Sequence, residues 1–276
     1  MSRERASSAR DTTTVGALLQ YWRGARRKSQ LALAHDAGVS PRHVCFIETG
    51  RAKPSREMLL LLAGVLDVPL RERNALLLAG GFAPVYREAG LDAPELGPAR
   101  RAFEAILRQQ EPYPAVVMDR DWNLLMANRA AERFFAFLLG DTVRTTPPNV
   151  VRLMFDPEGL RPYVTNWEEA AEALVRRIDR EAVGGVPDTL LRALLDEVFG
   201  YRDVPARLRV PNREAPLSPL IPIAFRKAGH RYAYFSTVTT LGTPADITLQ
   251  ELRIECFFPV DAETERNARA MALDSA

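Results

Sequence analysis

The stretch SQLALAHDAGVSPRHVCFIETGRAKPS, residues 29–55, decides the fold of the N-terminal part of the chain. Ser29 can accept a hydrogen bond from an orphan backbone N–H, so it caps a helix carrying Gln30, Leu33 and Ala34. Gly38 ends that helix, because glycine takes the left-handed conformation without steric cost. Val39 can then plug a core from the turn. Ser40 followed by Pro41 starts the next helix, with serine as the cap and proline at the first helical position, where its missing N–H is no loss. Val44 and Ile47, three apart, give that helix a buried side, which leaves Arg42, His43, Cys45 and Phe46 toward solvent. Small Ala34 lets the two helices approach. A short helix that exposes such side chains is suited to entering a groove.

Upstream, Val15, Leu18, Leu19 and Trp22 fall at i, i+3, i+4 and i+7, one stripe of an amphipathic helix over residues 15–26 whose other face ends in Arg23, Arg26, Arg27 and Lys28. Downstream, Ser55 caps a helix that runs through Leu66, and Pro69 precedes another over residues 70–79, which completes five helices. The whole segment resembles the helix-turn-helix of Xre/Cro-family repressors. The landmarks are Gln30, Leu33-Ala34, Gly38-Val39-Ser40, Ile47-Glu48-Thr49-Gly50, the basic Arg51 and Lys53, and Pro54-Ser55. The resemblance implies an all-α, five-helix, lambda-repressor-like DNA-binding domain over residues 15–82, behind a disordered tail at 1–14.

It also implies which residues meet double-stranded DNA. Pro41, Arg42 and Phe46 would approach base edges from the helix capped by Ser40, itself among the DNA-binding residues implied, with His43 and Cys45 close by. Arg42 is the best reader, since a guanidinium can donate two hydrogen bonds to guanine O6 and N7, worth ~1–3 kcal/mol of discrimination. Pro41 and Phe46 would touch a thymine methyl or sugar carbons. Gln30, Thr49, Arg51 and Lys53 are placed to hold phosphates, which sets register without carrying sequence information. His43 reads equally as a phosphate contact and as plain surface.

Length and charge agree with a second domain of different purpose. The chain has 276 residues, 47% of them hydrophobic, enough for two domains. Residues 1–56 hold 11 Lys/Arg against 4 Asp/Glu, a balance of +7, so with a net charge of +2 the remainder carries −5. That asymmetry suggests a polyanion-binding N-terminus, the alternative being a solvated basic surface. No apolar stretch follows the basic residues at the start, and the longest apolar run, residues 58–66, is far short of the ~20 needed to cross a bilayer, so neither export nor membrane insertion is expected. Two cysteines, Cys45 and Cys256, fit a reducing cytoplasm better than a disulfide framework.

Residues 83–98 read as a linker. A helix over 99–110 follows, then two short strands at 115–118 and 122–127 joined by a tight turn at Asp119-Arg120-Asp121, and a helix capped by Asn128. Helical patterns at 167–180 and 188–199 precede three β-like runs at 220–226, 232–239 and 249–258. Strands, helices, then strands is the order of a PAS-like α+β domain, an antiparallel sheet with helices on a face, here over 99–262 with a tail at 263–276. The stretches YPAVVMDRDWNLLMANRAAERFF, NVVRLMFDPEGLRPYVTNWEEAAEALVRRI and TLGTPADITLQELRIECFFPVD resemble the ligand-binding domain of MmyB-like regulators.

That resemblance implies binding of a small hydrophobic molecule, plausibly fatty-acyl. Val117, Met118, Phe134, Phe135, Leu153, Met154, Phe155, Phe225, Tyr234 and Phe235 are the candidates to line its pocket, each of which could instead be plain core. Arg152 is a candidate partner for a ligand carboxylate or an ordinary surface arginine, and Asn166 a helix cap before Trp167. His35, His43 and His230 match no metal spacing, no nucleophile stands with a base, and no cofactor-binding loop is present, so neither catalysis nor a metal is expected. The expectation is a homodimeric DNA-binding transcription regulator that senses a ligand. The alternative is one whose C-terminal domain only dimerises or recruits a partner.

Overall fold

The computed structural model describes residues 14–140, 147–183, 189–209, 222–242 and 244–273. Residues 1–13 of the tail expected at 1–14, the start of the strand at Leu220, the helix start at Asp188 and the last residues, 274–276, lie outside them, whereas Thr14 is described and caps the first helix. Contacts divide the chain into two compact units, Met1–Glu88 with Ala245–Ile247, and Ala89–Pro244 with Thr248–Ala276.

The N-terminal unit contains α1 (Val15–Ala25), α2 (Gln30–Asp36), α3 (Pro41–Glu48), α4 (Arg56–Val65) and α5 (Leu70–Ala79). Four of these are capped in one way: the hydroxyls of Thr14, Ser29, Ser40 and Ser55 accept from the backbone N–H three residues on. Each such cap contributes about 1 kcal/mol. Gly38, at φ +66°, turns the chain out of α2, and Val39 N–H bonds back to Ala34 O at 2.9 Å. Leu19, Trp22, Leu33, Ala34, Val44, Ile47, Leu59 and Leu62 fill the core. Where α1 crosses the end of α3, a Cβ on Gly16 would lie 2.4 Å from the Glu48 carbonyl oxygen, so the closest approach requires glycine.

The C-terminal unit begins with a 3-10 turn, Pro94–Leu96, running into α6 (Gly97–Gln109), inside the stretch read as linker. Then come β1 (Ala115–Met118), β2 (Leu124–Ala127), α7 (Arg129–Leu139), α8 (Val150–Phe155), α9 (Trp167–Val183), α10 (Thr189–Phe199), β3 (Ile223–Lys227), β4 (His230–Thr239), α11 (Ile247–Glu251), β5 (Arg253–Pro259) and α12 (Ala262–Leu273). The strands form one antiparallel sheet in the order β2-β1-β5-β4-β3. On one face, Val117, Ile254 and Cys256 pack with Phe103 and Leu107 of α6. On the other, Val116 and Met118 join a larger core built from α7, α8, α9 and α10.

Asn128 ties these layers together. Its Oδ1 accepts from Ala115 N and Ala131 N, and its Nδ2 donates to Leu107 O and Tyr113 O. One buried amide thus satisfies backbone groups at the end of α6, in β1 and at the start of α7.

Three expectations need correction. Trp122 belongs to the turn, not the strand: its φ is +69°, Asp119 Oδ1 accepts from Asp121 N and Asn123 N, and β2 begins at Leu124. Residues 249–251 are helical, and the last strand begins at Arg253. The segment expected as a tail, 263–276, is helical through Leu273: Asp261 caps it by accepting from Thr264 N at 2.8 Å, Thr264 and Ala268 are buried, and Thr264 Oγ1 accepts from Ala233 N of β4. Its buried side is made of small residues rather than a strong apolar stripe, which is why the sequence pattern conceals it.

Candidate DNA interface and ligand cavity

On α3, Pro41 and Arg42 are exposed and His43, Cys45 and Phe46 half-buried. Arg42 lies with Cζ 5.0 Å from the centroid of the Phe46 ring, one turn along, so its guanidinium is held against the ring rather than extended into water. Ser40 Oγ is engaged as the cap, accepting from His43 N at 3.2 Å. Beyond the helix, Arg51 and Lys53 are exposed and make no ion pair among the described residues. Thr49 donates its hydroxyl to Cys45 O at 2.7 Å, which leaves its oxygen lone pairs, but no proton, for an outside partner.

Gln30 is placed at the head of α2, and one of its amide protons goes to Glu48 Oε2 at 2.8 Å. That carboxylate is buried, and Arg23 grips it with two bonds, Nε to Oε1 at 2.6 Å and Nη2 to Oε2 at 2.9 Å. Sequence reasoning took Glu48 as a motif letter and missed this network, which locks α1, α2 and the end of α3. Arg26 likewise donates to the Leu66 and Asp67 carbonyls at the end of α4, and Lys28 pairs with Asp36. Much of the N-terminal positive charge is therefore spent inside the unit, and among its described residues Arg27, Arg42, Arg51, Lys53, Arg56 and Arg87 remain exposed and outside any ion pair.

The C-terminal unit holds a partly open cavity of about 160 Å³ between the sheet and its helices. Of the pocket candidates, Met118, Phe134, Phe135, Leu153, Met154 and Phe225 line it. Val117 does not, because alternate residues of a strand face opposite sides and Val117 points into the α6 layer, while Val116 and Met118 face the cavity. Phe235 is on that same wrong side, stacked on Phe258 at 5.3 Å. Phe155 is packed between Trp167 and Phe199, away from the void. Tyr234 sits one layer back, edge-on to Phe134 and Phe257, and burial raises its phenol pKa.

The remaining wall includes Trp122, Leu124, Leu174 and Phe257, together with a polar corner made by Arg177, Ser236 and Glu255 that sequence reasoning missed. Strand parity could have found Glu255, which pairs across the sheet with Val116. Arg152 is turned away and holds Glu197 by two bonds of 2.8 Å, so it is not on the cavity. Asn166 does more than stand before α9, since it bridges to Pro222 O and Ala224 N beside β3.

Among the described residues, no group of three His, Cys, Asp or Glu side chains could hold a metal, and no helix is long and apolar enough to cross a membrane. What the site offers is a helix that exposes Arg42 in one unit and an apolar void with one polar corner in the other.

The comparisons with known proteins agree with that division. Residues 19–73 match the helix-turn-helix family, and residues 99–271 match the MmyB-like transcription regulator ligand binding domain. Both are domains of transcription regulators rather than of enzymes. No curated protein matches the chain. Among solved structures, an RNA-binding light-oxygen-voltage receptor is similar at 14% identity over 100% of this chain and 69% of that one, but its TM-score of 0.29 carries no argument. Because the match to the ligand-binding domain spans more than half of the chain, behind a helix-turn-helix, the chain belongs to the family of MmyB-like transcription regulators.

Proposed function

We propose that this regulator binds specific DNA as a homodimer in the cytoplasm, reads base edges from α3, and changes its DNA affinity when a small hydrophobic molecule of acyl type fills the C-terminal cavity. The observation that carries the DNA half is Arg42, exposed at the start of α3 and braced on Phe46 beside the unpaired cations Arg51 and Lys53. A braced guanidinium loses less freedom on meeting guanine, and the neighbouring ring is placed for a thymine methyl. Pro41 and His43 flank this pair, while Gln30, Thr49, Arg51 and Lys53 contact phosphates. Two copies would read half-sites about 34–36 Å apart.

The observation that carries the ligand half is the void itself. Largely apolar cavities of roughly 150 Å³ take up small apolar molecules, and this one is of that size, apolar except for its one polar corner. Occupancy can shift DNA affinity by no more than the ligand's differential affinity for the free and DNA-bound forms.

The test titrates wild type and Arg42→Ala onto DNA upstream of the protein's own gene at several salt concentrations. Wild type should bind selectively and weaken with salt, and the variant should lose about 1–3 kcal/mol of selectivity with its fold intact. Equal binding to all sequences by both proteins would overturn the reading role of Arg42. Organic extraction of the purified protein addresses the cavity. Absence of apolar cargo, with no response to added acyl compounds, would favour a C-terminal unit used only for dimerisation or recruitment.

A further inference from the structure

Resting on the reading of the regulator as a homodimer, we propose that residues 85–88 are a clamp that takes the slack out of the chain between the two units, and so makes the protein select the spacing of its half-sites. The segment lies in the stretch expected as a linker, yet it groups with the N-terminal unit, whose boundary falls at Glu88. Asn74, half-buried on α5, holds it by three bonds. Its Oδ1 accepts from Val85 N at 3.0 Å and from Tyr86 N at 3.1 Å, and its Nδ2 donates to Tyr86 O at 2.7 Å. One side-chain amide thus pairs with backbone groups as a neighbouring strand would. Arg73 Nη1 donates to the Tyr86 hydroxyl at 3.2 Å, and its Cζ lies 5.8 Å from the centroid of that ring. Arg71 grips the Glu88 carboxylate with both terminal nitrogens, Nη1 meeting Oε2 at 2.9 Å. Arg87 O accepts from Ile247 N at 2.8 Å within the same unit.

The far end of the stretch is held within the C-terminal unit. Leu91 packs against the core of Phe103 and Leu107, Asp92 pairs with Arg100, and Ala93 N bonds to Gly90 O at 2.8 Å. Ala89 stands between the two sets of contacts. A long flexible tether lets two linked modules meet sites at many separations, whereas a tether without slack favours the separation it fits. Released and extended, residues 83–88 would add up to roughly 20 Å of reach per copy. That exceeds half a turn of the duplex, at ~34–36 Å per turn, and would carry a reading helix round to the opposite side of the DNA. With the clamp closed that reach is withheld. Spacing then becomes a property of the operator that the protein discriminates without touching a base.

The test is selection from random-sequence DNA by the full-length protein, read as the distance between paired half-sites. Wild type should enrich pairs at one spacing. Two variants restore slack by independent routes. Asn74→Ala combined with Tyr86→Ala removes side-chain ties of the clamp, and a flexible insert of about six Gly/Ser residues between Ala89 and Gly90 lengthens the chain without touching α5. Both should enrich the same half-sites, with the share of pairs at the wild-type spacing at least about twofold lower. Many spacings already in wild type, or an unchanged single spacing in either folded variant, overturns the proposal alone. If the double variant does not fold, the insertion decides. Enrichment of single half-sites by wild type, or of no sequence, would remove the homodimer or the DNA reading, and the proposal with it.

Discussion

Each unit buries a glutamate against an arginine, and the surroundings of the two pairs differ. Glu48 has 1% of its side chain exposed and takes two bonds from Arg23 and one from Gln30, in a part of the core where a Cβ on Gly16 would not fit. Glu255, 10% exposed, meets Arg177 at a longer 3.4 Å, accepts from the Ser236 hydroxyl and borders a void. The same two residue types are thus a fastener in one unit and part of a cavity wall in the other. What separates the roles is whether space remains beside the pair for a third molecule.

The contrast is broken most directly by removing each carboxylate charge in turn. Glu48→Gln leaves a guanidinium largely enclosed with no counter-charge, and the N-terminal unit should lose about 3 kcal/mol or more in urea unfolding. Glu255→Gln should cost about 1 kcal/mol, because water entering the void can solvate what remains. Equal losses would mean that the void makes no difference to the second pair.

A smaller effect is expected from filling the void. Ala173 lies on its wall, and Ala173→Leu should leave stability unchanged or raise it by up to about 1 kcal/mol. The same variant should bind added acyl compounds at least about tenfold more weakly. Undiminished binding would place the ligand elsewhere.

The smallest effect concerns pH. The Asp261 carboxyl that caps α12 is held down to about 2, first by the Thr264 N–H and then by Arg231. Its pKa is lower folded than unfolded, so the stability it contributes is present above the unfolded value of about 3.9 and is lost as pH falls toward 2. Asp261→Asn should flatten the acid limb of the stability curve over that window and converge on wild type at its bottom.

The N-terminal unit was legible because its signals are local: a cap, a proline or a left-handed glycine stands within a few residues of the helix it starts or ends. The cavity was legible in composition but not in parity. All four residues of β1 are buried, so no alternation of polar and apolar side chains marks Val116 and Met118, rather than Val117, as the cavity side. The polar corner draws on α9, β4 and β5, positions 177, 236 and 255, which no local pattern connects. The exposure of Arg42 could be read from its place on the helix, whereas the Gln30–Glu48–Arg23 network required three helices to be packed first.

Asn128 sets a mechanical condition on the C-terminal unit. Through its amide, the end of α6 on one side of the sheet and the start of α7 on the other share a single rigid pin. A guest that pushes the beginning of α7 outward must therefore either snap those bonds or drag α6 along as a lever across the sheet.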